Sequence, residues 1–168
     1  MRQVKRHILV VLVSLGLTLL AGGVTAQAKS QLPKRYQGTW YGYVCSEKVD
    51  HVRTYNVVKV GFTRNRFDYA YLKTTHSDLS QLDWQWEEHT LTSYGKKVNK
   101  HHQTYYTIST AGFADDINHM RLVTVKVNGQ RLRALKLTAQ PDNLYAFRKP
   151  LRTHAWGWDF EDFAPTDV

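Results

Sequence analysis

The chain has 168 residues and a single cysteine, Cys45. One thiol cannot close an internal disulfide, so the domain has only its core to hold it together. Cys45 falls in a run of aromatic and β-branched residues, which predicts a buried thiol; an intermolecular disulfide is the other use open to it. Helical periodicity is almost absent. No repeat, low-complexity tract or internal linker divides the chain.

The spacings that carry chemistry are lacking too. His101 and His102 are adjacent, and neighbours on a strand point to opposite faces. The other histidines are scattered, and no H-E-x-x-H helix is present. Glu87-Glu88 and Asp115-Asp116 are adjacent carboxylates, whereas glycoside hydrolysis needs two carboxyls about 5 to 9 Å apart across a cleft. There is no G-x-S-x-G and no phosphate-cradling glycine loop. No catalytic residue, metal site or cofactor is expected, and an extracellular hydrolase with an unrecognised site remains only a third reading.

The N-terminus is more informative. Residues 1–7, MRQVKRH, carry Arg2, Lys5 and Arg6 and no acid. An apolar run from Ile8 to Leu20 follows, then small residues ending in Ala26-Gln27-Ala28. This order of basic, apolar and A-x-A segments predicts a signal peptide over residues 1–28. A membrane anchor needs roughly 20 apolar residues, more than this run offers. Leu20-Ala21-Gly22 resembles the start of a bacterial lipoprotein box, but Gly23 stands where a cysteine would be acylated. The expectation is a bacterial protein that is secreted, extracellular or loosely wall-associated, touching the membrane only through the signal peptide before cleavage.

Cleavage after Ala28 removes three of the 23 basic residues and none of the 14 acids, leaving 140 residues with a formal charge of +6. That length suits one domain. The positive sign favours anionic partners. The charges are spread along the chain, so no dedicated nucleic-acid arm is expected. The predicted organisation is a polar lead-in at 29–37, a β-domain at 38–150 and an acidic, aromatic tail at 151–168 that packs on the domain or covers a cavity mouth.

Short β-branched and aromatic runs between turn signals predict eight strands: 39–45, 51–62, 66–75, 82–93, 102–110, 120–127, 130–137 and 144–148. A helical turn is expected at 77–81 and a loop at 111–118. The clearest element is the hairpin around Asn128-Gly129, a pair suited to a type I′ turn. Its register sets Val127 against Gln130, Val125 against Leu132, Val123 against Ala134, Leu122 against Leu135 and Met120 against Leu137. Lys126 and Thr124 then face Arg131 and Arg133. The fold class expected is all-β: an antiparallel meander of about eight strands, closed or partly closed into a barrel, after an N-terminal signal helix.

Gly38-Thr39-Trp40, at the start of the first strand, resembles the G-x-W of the lipocalin and wider calycin superfamily. The resemblance implies an eight-stranded barrel with Trp40 at its closed end and an Arg from near the last strand across the indole. Arg148 is the matching candidate and Arg152 the second. The family's usual disulfide is impossible here, and its middle T-D-x motif is not evident. The GTWYG context is also similar to short secreted proteins of Gram-positive bacteria, which implies location more than function.

All 21 aromatic residues lie beyond the signal peptide. Rings in excess of core need can line an apolar pocket or stack on sugars. The leading reading is therefore a non-enzymatic binding domain that holds a small apolar or amphipathic ligand. Tyr55, Tyr69, Tyr71, Trp84 and Trp86 are the candidate lining, with Trp84 and Trp86 expected on one strand face. The alternative is a cell-envelope protein that binds anionic wall polymer through the basic face of Lys126, Arg131 and Arg133.

Overall fold

The computed structural model describes residues 31–110, 117–139 and 142–156. The expected signal peptide, the Asp115-Asp116 pair, most of the expected 111–118 loop and the tail beyond Trp156 lie outside these residues. Eight strands follow in chain order: β1 (Gly38–Val49), β2 (Val52–Phe62), β3 (Arg66–Thr74), β4 (Asp83–Val98), β5 (Thr104–Thr110), β6 (Ile117–Val127), β7 (Gln130–Ala139) and β8 (Asp142–Ala146). They form one antiparallel meander sheet in sequence order, with no helix among the described residues.

β4 joins two halves. Asp83–Leu91 pairs with β3, and Thr92–Val98 pairs with β5. No continuous ladder joins β1 to β8. The two ends of the sheet meet at one antiparallel bridge, where Tyr41 and Phe147 exchange backbone hydrogen bonds of 2.7 and 2.8 Å.

The main core draws on every strand: Trp40 and Val44, Val58, Val60 and Phe62, Phe67 and Tyr69, Tyr94, Tyr106 and Ile108, Met120, Leu135 and Leu137, and Leu144 and Ala146, with Trp86 of β4 packed against them. Leu32 and Tyr36 of the lead-in join it, so the packed unit begins before Gly38. Alternation places these residues on one face. The other face of β1–β3 is also apolar in part, because Tyr55, Val57 and Leu72 are covered by Leu79 and Leu82 of the 75–82 loop. That loop contains a turn at 77–78 rather than the expected helical turn. Leu79 and Gln81 adopt positive φ, which breaks any helical run.

The β6–β7 hairpin has the register its sequence dictates, from Met120↔Leu137 to Val127↔Gln130. Asn128 and Gly129 both have positive φ, as a type I′ turn requires. β6 begins earlier than expected, at Ile117, and β5 later, at Thr104. The delay has a local cause: Asn99 Oδ1 accepts the backbone N–H groups of His101 and Gln103, fixing 99–103 as a turn.

Cys45 corrects the expectation of a buried thiol: it is exposed. The β1–β2 register shifts between Tyr43 and Cys45, and Val44, not the thiol, enters the core. Asn56 Nδ2 lies 3.2 Å from the thiol sulfur.

Candidate functional site

Trp40 is anchored at both its ring nitrogen and its ring face. Its indole N–H donates to the Tyr36 carbonyl at 2.8 Å. The Arg148 guanidinium carbon stands 3.6 Å from the ring centroid, a cation–π stack. The same guanidinium donates to the carbonyls of Thr39, Gln37 and Arg35 at 3.0, 2.8 and 3.2 Å. Arg148 thus ties the lead-in to the end of the sheet. Gly38 is required beside it, with φ +90°, and an added Cβ would come within 3.0 Å of the guanidinium. Arg152 is placed elsewhere, over the Tyr55 ring at 5.5 Å.

Of the five aromatic candidates, Tyr69, Tyr71 and Trp86 are brought together in the main core, while Tyr55 and Trp84 lie elsewhere. Tyr69 is 2% exposed and packs on Trp86, ring centroids 5.2 Å apart. Tyr71 packs on the edge of the same core. Tyr55 belongs to the separate cluster on the opposite face. Trp84 is 48% exposed, with Lys59 Nζ 4.7 Å from its ring centroid. Trp84 and Trp86 are therefore not on one face, a correction to the expected alternation. The β3–β4 register shifts between Tyr71 and Leu72, so Trp86 pairs with Tyr71 and Trp84 with Leu72, and a β-bulge at Gln85 sends the two indoles to opposite sides.

The three basic candidates do share a face. Lys126 pairs with Arg131, and Thr124 with Arg133, all exposed. From Val123 to Ala134 the hairpin pairs with neither β5 nor β8, so it projects as a two-stranded ribbon. Its apolar side, Val123, Val125, Val127, Leu132 and Ala134, rests on Phe147, Tyr145 and Leu151. Its other side is the basic one.

Strand direction gathers more charge at that end. The turns at 63–65, 99–103 and 128–129 lie together with the lead-in and with residues 148–149. Lys34, Arg35, Arg64, Lys96, Lys97, Lys100 and Lys149 join the hairpin cations there. The segments 31–37, 63–65, 96–103, 124–133 and 148–149 contain no Asp or Glu. The opposite end carries Glu47, Asp50, Asp78 and Asp83. The described ion pairs, Lys59–Glu87, Arg66–Asp68, Lys73–Glu47 and those of His89, involve none of the hairpin cations.

The carboxylates form no catalytic cleft among the described residues. Asp68 Oδ1 takes Arg66 Nε at 2.6 Å and His89 Nδ1 at 2.8 Å, and Glu87 faces His89 Nε2 at 3.4 Å. This network lies across the half-exposed surface of β3 and β4, while Glu88, exposed, pairs with Tyr69 on the other face. No cluster of three His, Cys, Asp or Glu side chains suited to a metal ion occurs among the described residues.

A concavity that sequence reasoning did not single out lies across β5–β8 on the face away from the main core. It is an open groove of about 290 Å³ lined by Asn99, Gln103, Tyr105, His119, Arg121, Lys136, Thr138 and Asn143. The signal was present in the hairpin register, which sets Arg121 against Lys136.

No protein-family model matches the chain, and neither does any curated protein or solved structure.

Proposed function

We propose that this is an exported, non-enzymatic binding domain that attaches to anionic polymer of the cell envelope through its basic end. The observation that carries the reading is the projecting hairpin, whose Lys126, Arg131 and Arg133 share one exposed face at an end of the sheet with no acid in its turns. Unpaired cations of one sign add their fields and draw a polyanion from solution. A long polymer also suits a projecting ribbon better than a closed cavity does, since the ribbon places no limit on ligand length.

In this reading the sheet works as a barrel. The Tyr41–Phe147 bridge and Trp156, whose backbone N–H donates to the Tyr43 carbonyl and whose indole N–H donates to the Tyr145 carbonyl, hold the seam. A small apolar ligand inside that barrel is the weaker reading. It would have to displace Tyr69, Phe67, Phe62 or Met120, which are 0 to 2% exposed and pack against one another.

The test is sedimentation of the mature chain with isolated cell walls, comparing the wild type with a Lys126→Glu, Arg131→Glu, Arg133→Glu variant. The variant is expected to stay in the supernatant at low salt while keeping its far-UV spectrum. A folded variant that sediments as well as the wild type sinks the proposal.

A further inference from the structure

The groove over β5–β8 has a charge pattern that folding alone does not favour. Arg121 and Lys136 are directly opposed on neighbouring strands. Like charges in that relation are destabilising. No described carboxylate lies within ion-pairing distance of either, and none lines the groove. Arg121 donates to Gln103 Oε1 at 2.9 Å, a neutral partner that orients the guanidinium without neutralising it. Lys136 lies 5.8 Å from the centroid of the Tyr145 ring. Burial, and then the charge of Arg121, hold the Lys136 ammonium below its ordinary pKa. The site is short of negative charge.

The rest of the lining is rich in polar groups. Tyr105 and His119 stack with ring centroids 4.3 Å apart. His119 Nδ1 is buried and has no hydrogen-bond partner among the described residues. Thr138 and Asn143 are tied to each other at 3.1 Å across β7 and β8. Asn99 and Gln103, 3.1 Å apart, close the groove from the β4–β5 turn.

The geometry points to a binding site for a phosphoryl group, with Arg121 and Lys136 as the cationic pair that receives it. An anion between them would turn a repulsive pair into two charge-assisted contacts. Donors on four strands and a turn suit a tetrahedral group with several oxygens better than a planar carboxylate, which one arginine fork satisfies. The groove, about 290 Å³ and open to solvent, has room beside a bare ion, so the phosphoryl group can arrive on a small polyol or sugar. This site lies on different residues from the basic hairpin face and stands whether or not that face binds wall polymer.

The experiment is titration calorimetry of the mature chain at constant ionic strength with inorganic phosphate, glycerol 1-phosphate and phosphatidylglycerol vesicles, using chloride as the control anion. The expected result is phosphate-specific heat and a preference for glycerol 1-phosphate. Binding of inorganic phosphate with equal affinity supports the same site with free phosphate as its source, and binding of the vesicles supports it with a lipid headgroup as its source. Arg121→Gln and Lys136→Gln should each weaken binding about tenfold or more, the loss of one charged hydrogen-bond partner. Arg53→Gln, on β2 at the far end of the sheet from the hairpin, should leave it unchanged. Lys136→Gln should also melt no lower than the wild type without ligand, because it relieves the Arg121 repulsion. No response beyond that to chloride, or wild-type affinity in folded Arg121→Gln and Lys136→Gln, would overturn the assignment.

Discussion

Gly42 of β1 packs flat against the indole of Trp156, so closely that a Cβ at position 42 would overlap the ring. The contact lies on the seam between the first and last strands. Trp156 comes from the segment after β8 and donates to a carbonyl on each side, Tyr43 on β1 and Tyr145 on β8. Trp156, through its backbone and its indole, thus does at this level what a ladder would do elsewhere, satisfying edge groups that would otherwise stay open to another chain.

This predicts coupling between the two positions. Gly42→Ala should cost about 1–3 kcal/mol through overpacking, and Trp156→Ala about 3–5 kcal/mol through the lost ring. With the ring gone, the alanine at 42 has room, so the double variant should be less destabilised than the sum. Urea unfolding of the four proteins checks this, and strict additivity would show that the contact is unimportant.

Arg148 and Trp40 give a second test. Arg148→Lys keeps the charge but loses the planar stack and the fork that reaches three carbonyls. The expected cost is about 1–2 kcal/mol, with a red shift and loss of rigidity in the Trp40 emission as the lead-in loosens. Arg152→Lys, over Tyr55, should cost less because it makes one weaker contact at 3.4 Å. Equal unfolding midpoints for the wild type and Arg148→Lys would contradict the anchoring role.

Alkaline stability gives a third. Burial raises the pKa of Tyr69 and Tyr94 well above the ordinary tyrosine value, reinforced by Tyr71 and Asp68 respectively. Both groups therefore stay protonated in the folded state while the unfolded chain ionises near pH 10, about the value of a free tyrosine. Their stabilising contribution is complete below that pH and falls as pH rises toward the folded values. Tyr94→Phe gives up the hydroxyl's bond to the Arg66 carbonyl, costing about 1 kcal/mol at neutral pH, but its stability should fall less steeply above pH 10. Circular dichroism of urea unfolding between neutral pH and pH 11 reads this; an unchanged slope would refute the assignment to Tyr94.

The sequence revealed some elements more fully than others. The β6–β7 hairpin could be read residue by residue, because Asn128-Gly129 dictates the turn and the turn dictates the register. Arg148 and Arg152 are both candidates for the Trp40 face, and the one that stacks there is Arg148. Period-two reading failed where a bulge intervenes. One register shift separates Trp84 from Trp86, whereas for Cys45 it is the apolar neighbours that mislead, since unbroken alternation from Trp40 puts Val44 in the core and Cys45 outside. Nothing local in Trp84-Gln85-Trp86 announces the bulge. The hairpin register also implied the Arg121–Lys136 pair, but its surroundings depend on Tyr105 of β5 and Asn143 of β8, which only tertiary structure brings there.

The central claim is that the basic end engages a polyanion, and the dependence of wall binding on salt tests it most directly. Sedimentation of the wild-type chain with isolated walls should be strong near 0.01 M salt, where the Debye length is about 30 Å, and should collapse toward 1 M, where it is about 3 Å. Removing the anionic polymer from the walls should abolish the low-salt binding. Sedimentation that holds constant across that range, or survives removal of the polymer, would contradict the account.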